Sequence, residues 1–129
     1  MKLLSALMAV GIVAIVVVAL GVAARKSEGD QTPRSAEIVM EESRFSPNQF
    51  NAKVGVPIIV RITNRGSERH DLLFPSLHMP GLQGVEAILD PGESRTVTLR
   101  FEEAGTHTFI CSIPGHAAAG MTGAVFVRP

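Results

Sequence analysis

From Ala36 to Pro129 no stretch of ten residues carries a helical apolar period; short β-like runs are instead cut at close intervals by Gly, Pro, Asn and Asp. The runs expected as strands are Glu37 to Met40, Gln49 to Val54, Pro57 to Thr63, Asp71 to Phe74, Ser94 to Phe101, Thr106 to Cys111 and Gly123 to Arg128. Val54-Gly55-Val56-Pro57, Asn64-Arg65-Gly66, Met79-Pro80-Gly81, Asp90-Pro91-Gly92 and Ala104-Gly105 supply the turns between them. Strands at this spacing in about 94 residues predict an all-β sandwich or small barrel. Alternation adds direction: Val97, Leu99 and Phe101 share one face, with Thr96, Thr98 and Arg100 on the other. In the run ending at Cys111, Phe109 shares its face with His107 and Cys111, so the cysteine is expected to point inward at a strand end.

The chain before this domain is of another kind. Leu3 to Ala24 is a 22-residue apolar run broken only by Ser5 and two glycines, with Lys2 before it and Arg25 and Lys26 after it. That length can cross a bilayer as a helix, which favours an uncleaved anchor over residues 1–24, while Val22-Ala23-Ala24 also suits cleavage of a signal segment. Residues 25–35 are polar, contain Gly and Pro, and read as a flexible tether. Either reading of the N-terminal segment puts the domain at 36–129 outside the cytoplasm, in the periplasm or exterior.

Charge and composition narrow the partners. Twelve Lys and Arg balance twelve Asp and Glu, and the aromatics are six Phe, so both the basic footprint and the stacking platforms of a nucleic-acid binder are missing. One cysteine excludes an intramolecular disulfide. After the strand end at Cys111 the chain continues Ser112-Ile113-Pro114-Gly115-His116-Ala117-Ala118-Ala119-Gly120-Met121, which spaces Cys, His and Met by five and five. A soft thiolate, an imidazole and a weak thioether, joined by a second imidazole, make the trigonal site with a long axial sulfur that suits copper electron transfer. His70 is the best candidate for the second imidazole, because it follows the Asn64-Arg65-Gly66 turn and opens the run His70-Asp71-Leu72-Leu73-Phe74.

With Phe45-Ser46-Pro47, Gln49 to Gly55, Ile62 to Gly66 leading to His70-Asp71, Asp90-Pro91-Gly92-Glu93, Ala104-Gly105-Thr106 and the metal loop, residues 36–129 resemble the cupredoxin family of small blue copper proteins. Only the metal loop is specific. The resemblance implies a Greek-key β-sandwich with one mononuclear copper held at one end by His70, Cys111, His116 and Met121. The four-and-four spacing of the loop looks most like rusticyanin and sulfocyanin loops. The residue after the first ligand is often Asn in related groups and here is Asp71, which can accept N–H bonds from the Ser112 region but cannot donate when ionised.

The implied function is transport of single electrons between redox protein partners, such as a cytochrome or terminal oxidase, by a monomer. The edge of His116 would be the electron port, set in an apolar surround of Pro114, Ala117, Ala118 and Ala119, with Leu77, Met79 and Pro80 as further members. Copper delivery or storage is the alternative. An enzyme is disfavoured, because His70, His78, His107 and His116 contain no His-x-His pair for further coppers. His107 is expected as a core or rim side chain, and His78-Met79 as a loop above the site, not a second copper site.

Overall fold

The computed structural model describes residues 34–129. The anchor or signal segment expected over residues 1–24 and residues 25–33 of the expected tether lie outside the described residues, while Arg34 and Ser35, expected in the tether, belong to the first strand. Among the described residues no helix is long and apolar enough to cross a membrane.

Seven strands form, β1 (Arg34–Glu41), β2 (Arg44–Ser46), β3 (Gln49–Lys53), β4 (Ile58–Asn64), β5 (Ser94–Leu99), β6 (Gly105–Ile110) and β7 (Thr122–Arg128), with one 3-10 turn at Val85–Ala87. They sort into two sheets, β2-β1-β4-β5 and β3-β7-β6. Both are mixed: β1 runs parallel to β4 and β3 parallel to β7, while the other neighbours are antiparallel. This is the all-β sandwich that the turn spacing predicts.

Period-two patterning fixes which side of each strand is inside. In β4, Ile58, Val60, Ile62 and Asn64 are buried, while Ile59 and Arg61 are exposed. In β5, Val97 and Leu99 point in, and Phe101 continues their face beyond the strand end. Ile38 and Met40 of β1 complete this side of the core, and Ala52, Phe109, Val125 and Val127 meet them from the second sheet. Each large side chain buried this way contributes roughly 1.5–3 kcal/mol of transfer free energy. With no Trp or Tyr in the chain, phenylalanines fill the centre: the Phe109 ring lies 5.0 Å from Phe45 and 5.7 Å from Phe74.

Two parts of the strand expectation are corrected. Residues 71–74 do not form a strand; the segment bonds one residue at a time to two different partners, His70 with Leu89 and Leu73 with Ile110. Its burial shows why: Asp71, Leu72 and Phe74 are all buried, so the run has no half-exposed ladder face. The second correction is β2, which pairs with β1 through Arg44, Phe45 and Ser46; three residues with one apolar member are too few to display a period.

Candidate metal centre

The end of β6 and the end of β4 are the two platforms of the site. Leu73 and Ile110 exchange both backbone hydrogen bonds at 2.8 Å, which sets the His70 segment beside Cys111. On the other side, the Cys111 N–H donates to the Met121 carbonyl at 3.1 Å and the Met121 N–H to the His116 carbonyl at 3.0 Å. The five-and-five spacing thus becomes a closed loop with Cys111 and Met121 at its neck. Gly115, at φ +84°, makes the turn that aims His116 back toward them.

His70, Cys111 and Met121 have no solvent exposure, and His116 is half-buried. His70 Nδ1 lies 3.1 Å from His116 Nδ1 and 3.9 Å from Cys111 Sγ; Cys111 Sγ lies 3.6 Å from His116 Nδ1. A circle through three atoms separated by 3.1, 3.6 and 3.9 Å has a radius of about 2.1 Å, which matches metal–nitrogen and metal–sulfur bonds of about 2.0 to 2.3 Å. The three donors are therefore spaced to hold one ion, and among the described residues they form the one cluster of His, Cys and carboxylate groups able to hold a metal. Two imidazoles with one thiolate suit copper better than hard cations.

The ligand electrostatics follow from burial. Burial, then the neighbouring His116, pushes the His70 imidazolium acid below its ordinary range, which keeps the ring neutral and ready to coordinate. Burial raises the Cys111 thiol above its usual value, while backbone N–H groups of Asp71 and Ile113 favour the thiolate. A metal must displace that proton to bind.

Asp71 makes the contact its chemistry allows: Oδ1 accepts the Ser112 N–H at 2.6 Å and Oδ2 accepts the Ser112 hydroxyl. The residue after one ligand is thereby tied to the residue after another. Asn64, the last inward position of β4, does the same for the loop before His70. Its amide donates to the Glu68 carbonyl at 2.8 Å and the Leu89 carbonyl at 2.9 Å, and its Oδ1 accepts the Gly66 N–H at 2.9 Å.

Other sequence candidates fall outside the cluster. His107 stacks on Phe101 with centroids 5.5 Å apart, the rim position expected for it. His78 is exposed in a cleft shared with Leu77 and His107, and Met79 is buried in the core, so Met79 does not belong to the exposed apolar surround expected around His116. Pro114, Ala118 and Ala119 are exposed there, with Ala117 half-buried. Two further contributors are not expected at the site from the sequence: Glu68, which carries no sequence signal, and Gly66, which the sequence marks only as a turn residue. Glu68 places Oε2 2.8 Å from His116 Nε2. Gly66 packs beside the other imidazole, where an added Cβ would fall 2.8 Å from His70 Nε2.

A cupredoxin-like domain matches residues 11–122, and the chain belongs to this family. Auracyanin-B of Chloroflexus aurantiacus is 36% identical over 76 residues, which is 58% of this chain and 32% of that protein, so the chain matches about a third of that relative's length. Copper-resistant cuproprotein CopI of Rubrivivax gelatinosus is 27% identical over 119 residues, 81% of this chain and 72% of that protein. Among solved structures, auracyanin from Roseiflexus castenholzii superposes with a TM-score of 0.65 at 22% identity, covering 74% of this chain and 98% of that one. A multicopper oxidase gives 0.64 at 24% identity, over 74% of this chain and 42% of that one. These two structures share the fold. The finer likeness of the metal loop to rusticyanin and sulfocyanin rests on its spacing alone.

Proposed function

We propose that this protein is a type 1 blue copper protein that holds one copper through His70, Cys111, His116 and Met121 and carries single electrons between redox protein partners outside the cytoplasm. The observation that carries this reading is the triangle of His70 Nδ1, His116 Nδ1 and Cys111 Sγ, sized for one ion and closed from water on the His70 and Cys111 sides. Bound copper supplies the Cu(II)/Cu(I) couple. Cys111 would hold the metal through its thiolate and His70 and His116 through their imidazoles, with Met121, at the neck of the loop, offering a weak thioether donor. The Asp71–Ser112 tie and the Cys111–Met121 backbone bond hold the donors in one arrangement, which keeps the rearrangement between oxidation states small. The exposed edge of His116, among Pro114, Ala118 and Ala119, is the route for the electron. The apolar segment at residues 3–24 tethers the domain to a membrane, or exports it if cleaved, and the carrier works as a monomer without nucleic acid.

A second reading, copper delivery or storage, is favoured by one observation, the similarity to a protein named a copper-resistant cuproprotein. Against it, metal exchange calls for open, thioether-rich sites, whereas this one is buried and tied at two points. The same donor set in a copper enzyme would require further ligands for more coppers, and the carrier reading needs none. The copper-loaded protein should exchange electrons rapidly with a cytochrome and lose little copper to an apo acceptor; rapid metal loss with slow electron exchange would reverse the ranking. Met121→Gln should keep the blue colour and lower the reduction potential, and an unchanged potential would remove Met121 from the ligand set.

A further inference from the structure

We infer that Glu68 is a positioning residue for the exposed copper ligand: its carboxylate holds the Nε2–H of His116, fixing the tautomer that turns Nδ1 to the metal, and sets a negative charge at the electron port that lowers the reduction potential. The inference rests on the blue copper reading above.

His116 lies with Nδ1 toward His70 and Cys111 and Nε2 toward Glu68 Oε2 at 2.8 Å. An imidazole that gives Nδ1 to a metal must carry its proton on Nε2, and a carboxylate accepting that proton fixes ring tautomer and orientation and increases ligand basicity. The two ends of the pair are unequal: the His116 side chain is 13% exposed and that of Glu68 is 66% exposed. An exposed glutamate would ordinarily sample many rotamers, and an exposed ion pair contributes little to stability. Here the backbone beneath it is fixed, because the buried Asn64 amide donates to the Glu68 carbonyl at 2.8 Å. Asn64 thus anchors at one point the loop that delivers both His70 and the carboxylate for His116.

A contrast with the other imidazole sharpens the role. His70 Nε2 is buried with no hydrogen-bond partner among the described residues, and Gly66 packs beside it. His70 is held by burial, whereas His116 reaches the surface and is held by a charge. That charge stabilises the more positive metal state, so removing it favours Cu(I) and raises the potential.

The test uses the full copper-loaded chain as wild type, Glu68→Gln and Glu68→Ala, at one pH and ionic strength. Redox titration reads the potential, and long-range proton–nitrogen NMR of the diamagnetic Cu(I) form reads the His116 Nε2–H. In the wild type that proton is expected to be visible and slow to exchange. Glu68→Gln keeps an oxygen acceptor and loses the charge, so it should retain the Nε2–H signal and shift the Cu(I)/Cu(II) ratio toward Cu(I) about three- to tenfold, the upper end being about 59 mV. Glu68→Ala should raise the potential by at least as much and lose the slow-exchanging proton. A blue wild type whose potential is unmoved by both substitutions, or whose Nε2–H ignores the loss of the side chain, overturns this inference alone. A wild type with no intense visible band overturns the copper reading and this inference with it.

Discussion

Asp71 offers a quantitative test of how the two ligand segments are held. Its side chain is buried and accepts both the backbone N–H and the hydroxyl of Ser112, joining the neighbour of His70 to the neighbour of Cys111. Hydrogen bonds to a charged group contribute about 1.5–3 kcal/mol each, and truncating the acceptor also strands the donor. Ser112 itself is exposed, so water recovers part of the loss and the lower half of the summed range applies. Asp71→Ala is therefore expected to destabilise the metal-free domain by about 3–4.5 kcal/mol, a fall in Tm of roughly 12–25 °C for a domain of this size. Asp71→Asn keeps an oxygen for the Ser112 N–H and should cost about 1 kcal/mol. Urea unfolding of wild type, Asp71→Ala, Ser112→Ala and the double variant closes a cycle. If Asp71 acts through Ser112, the double variant should be no less stable than Asp71→Ala to within about 0.5 kcal/mol. Additive losses, or a loss below about 0.5 kcal/mol for Asp71→Ala, would refute the tie.

Two further predictions concern the loop that carries His70. Gly66→Ala brings a Cβ to 2.8 Å from His70 Nε2 and 3.2 Å from Glu42 Oε1; since the imidazole is fully buried, the expected cost is about 1–3 kcal/mol with weaker copper retention. Unchanged melting and unchanged copper affinity would show that the loop yields freely. Glu42 accepts the Ser67 N–H at 2.5 Å, and that amide, with the Ser67 hydroxyl, lowers its carboxyl from 4.5 to about 2. A carboxyl depressed by folding contributes stability above its unfolded value and loses it as pH falls through the folded one. The Tm advantage of wild type over Glu42→Gln should therefore be full above pH 4.5 and shrink toward pH 2, as read by thermal melts of the metal-free protein; a constant difference across that window would contradict the assignment.

Much of this architecture is legible because strands alternate. Val97, Leu99 and Phe101 announce a buried face, and the same period run from Phe109 points Cys111 inward, where it is found. The metal loop is legible because its chemistry is local: Cys111, His116 and Met121 sit within eleven residues, and the turns that gather them use Gly115, Gly120 and backbone bonds made within the loop itself. His70 follows from the need for one more imidazole. What could not be read depends on distant partners. The segment from Asp71 to Phe74 looks like a strand from its apolar content, but only Leu73 in it bridges, to Ile110, while His70 just before it bridges to Leu89, partners that sequence order does not bring near. Met79 reads as surface loop beside His78 and is instead core, since a lone thioether has no period to show its direction. Glu68 is one exposed acid among twelve, and only the folded loop aims it at His116.

The central claim, that Cys111 and its partners hold a type 1 copper, is tested most directly by the visible spectrum of the protein loaded with Cu(II), recorded beside Cys111→Ser. The account predicts an intense thiolate-to-copper band in the wild type that is absent from the serine variant. A wild-type protein that binds Cu(II) without that band, or a band that survives the loss of the only cysteine, would contradict it.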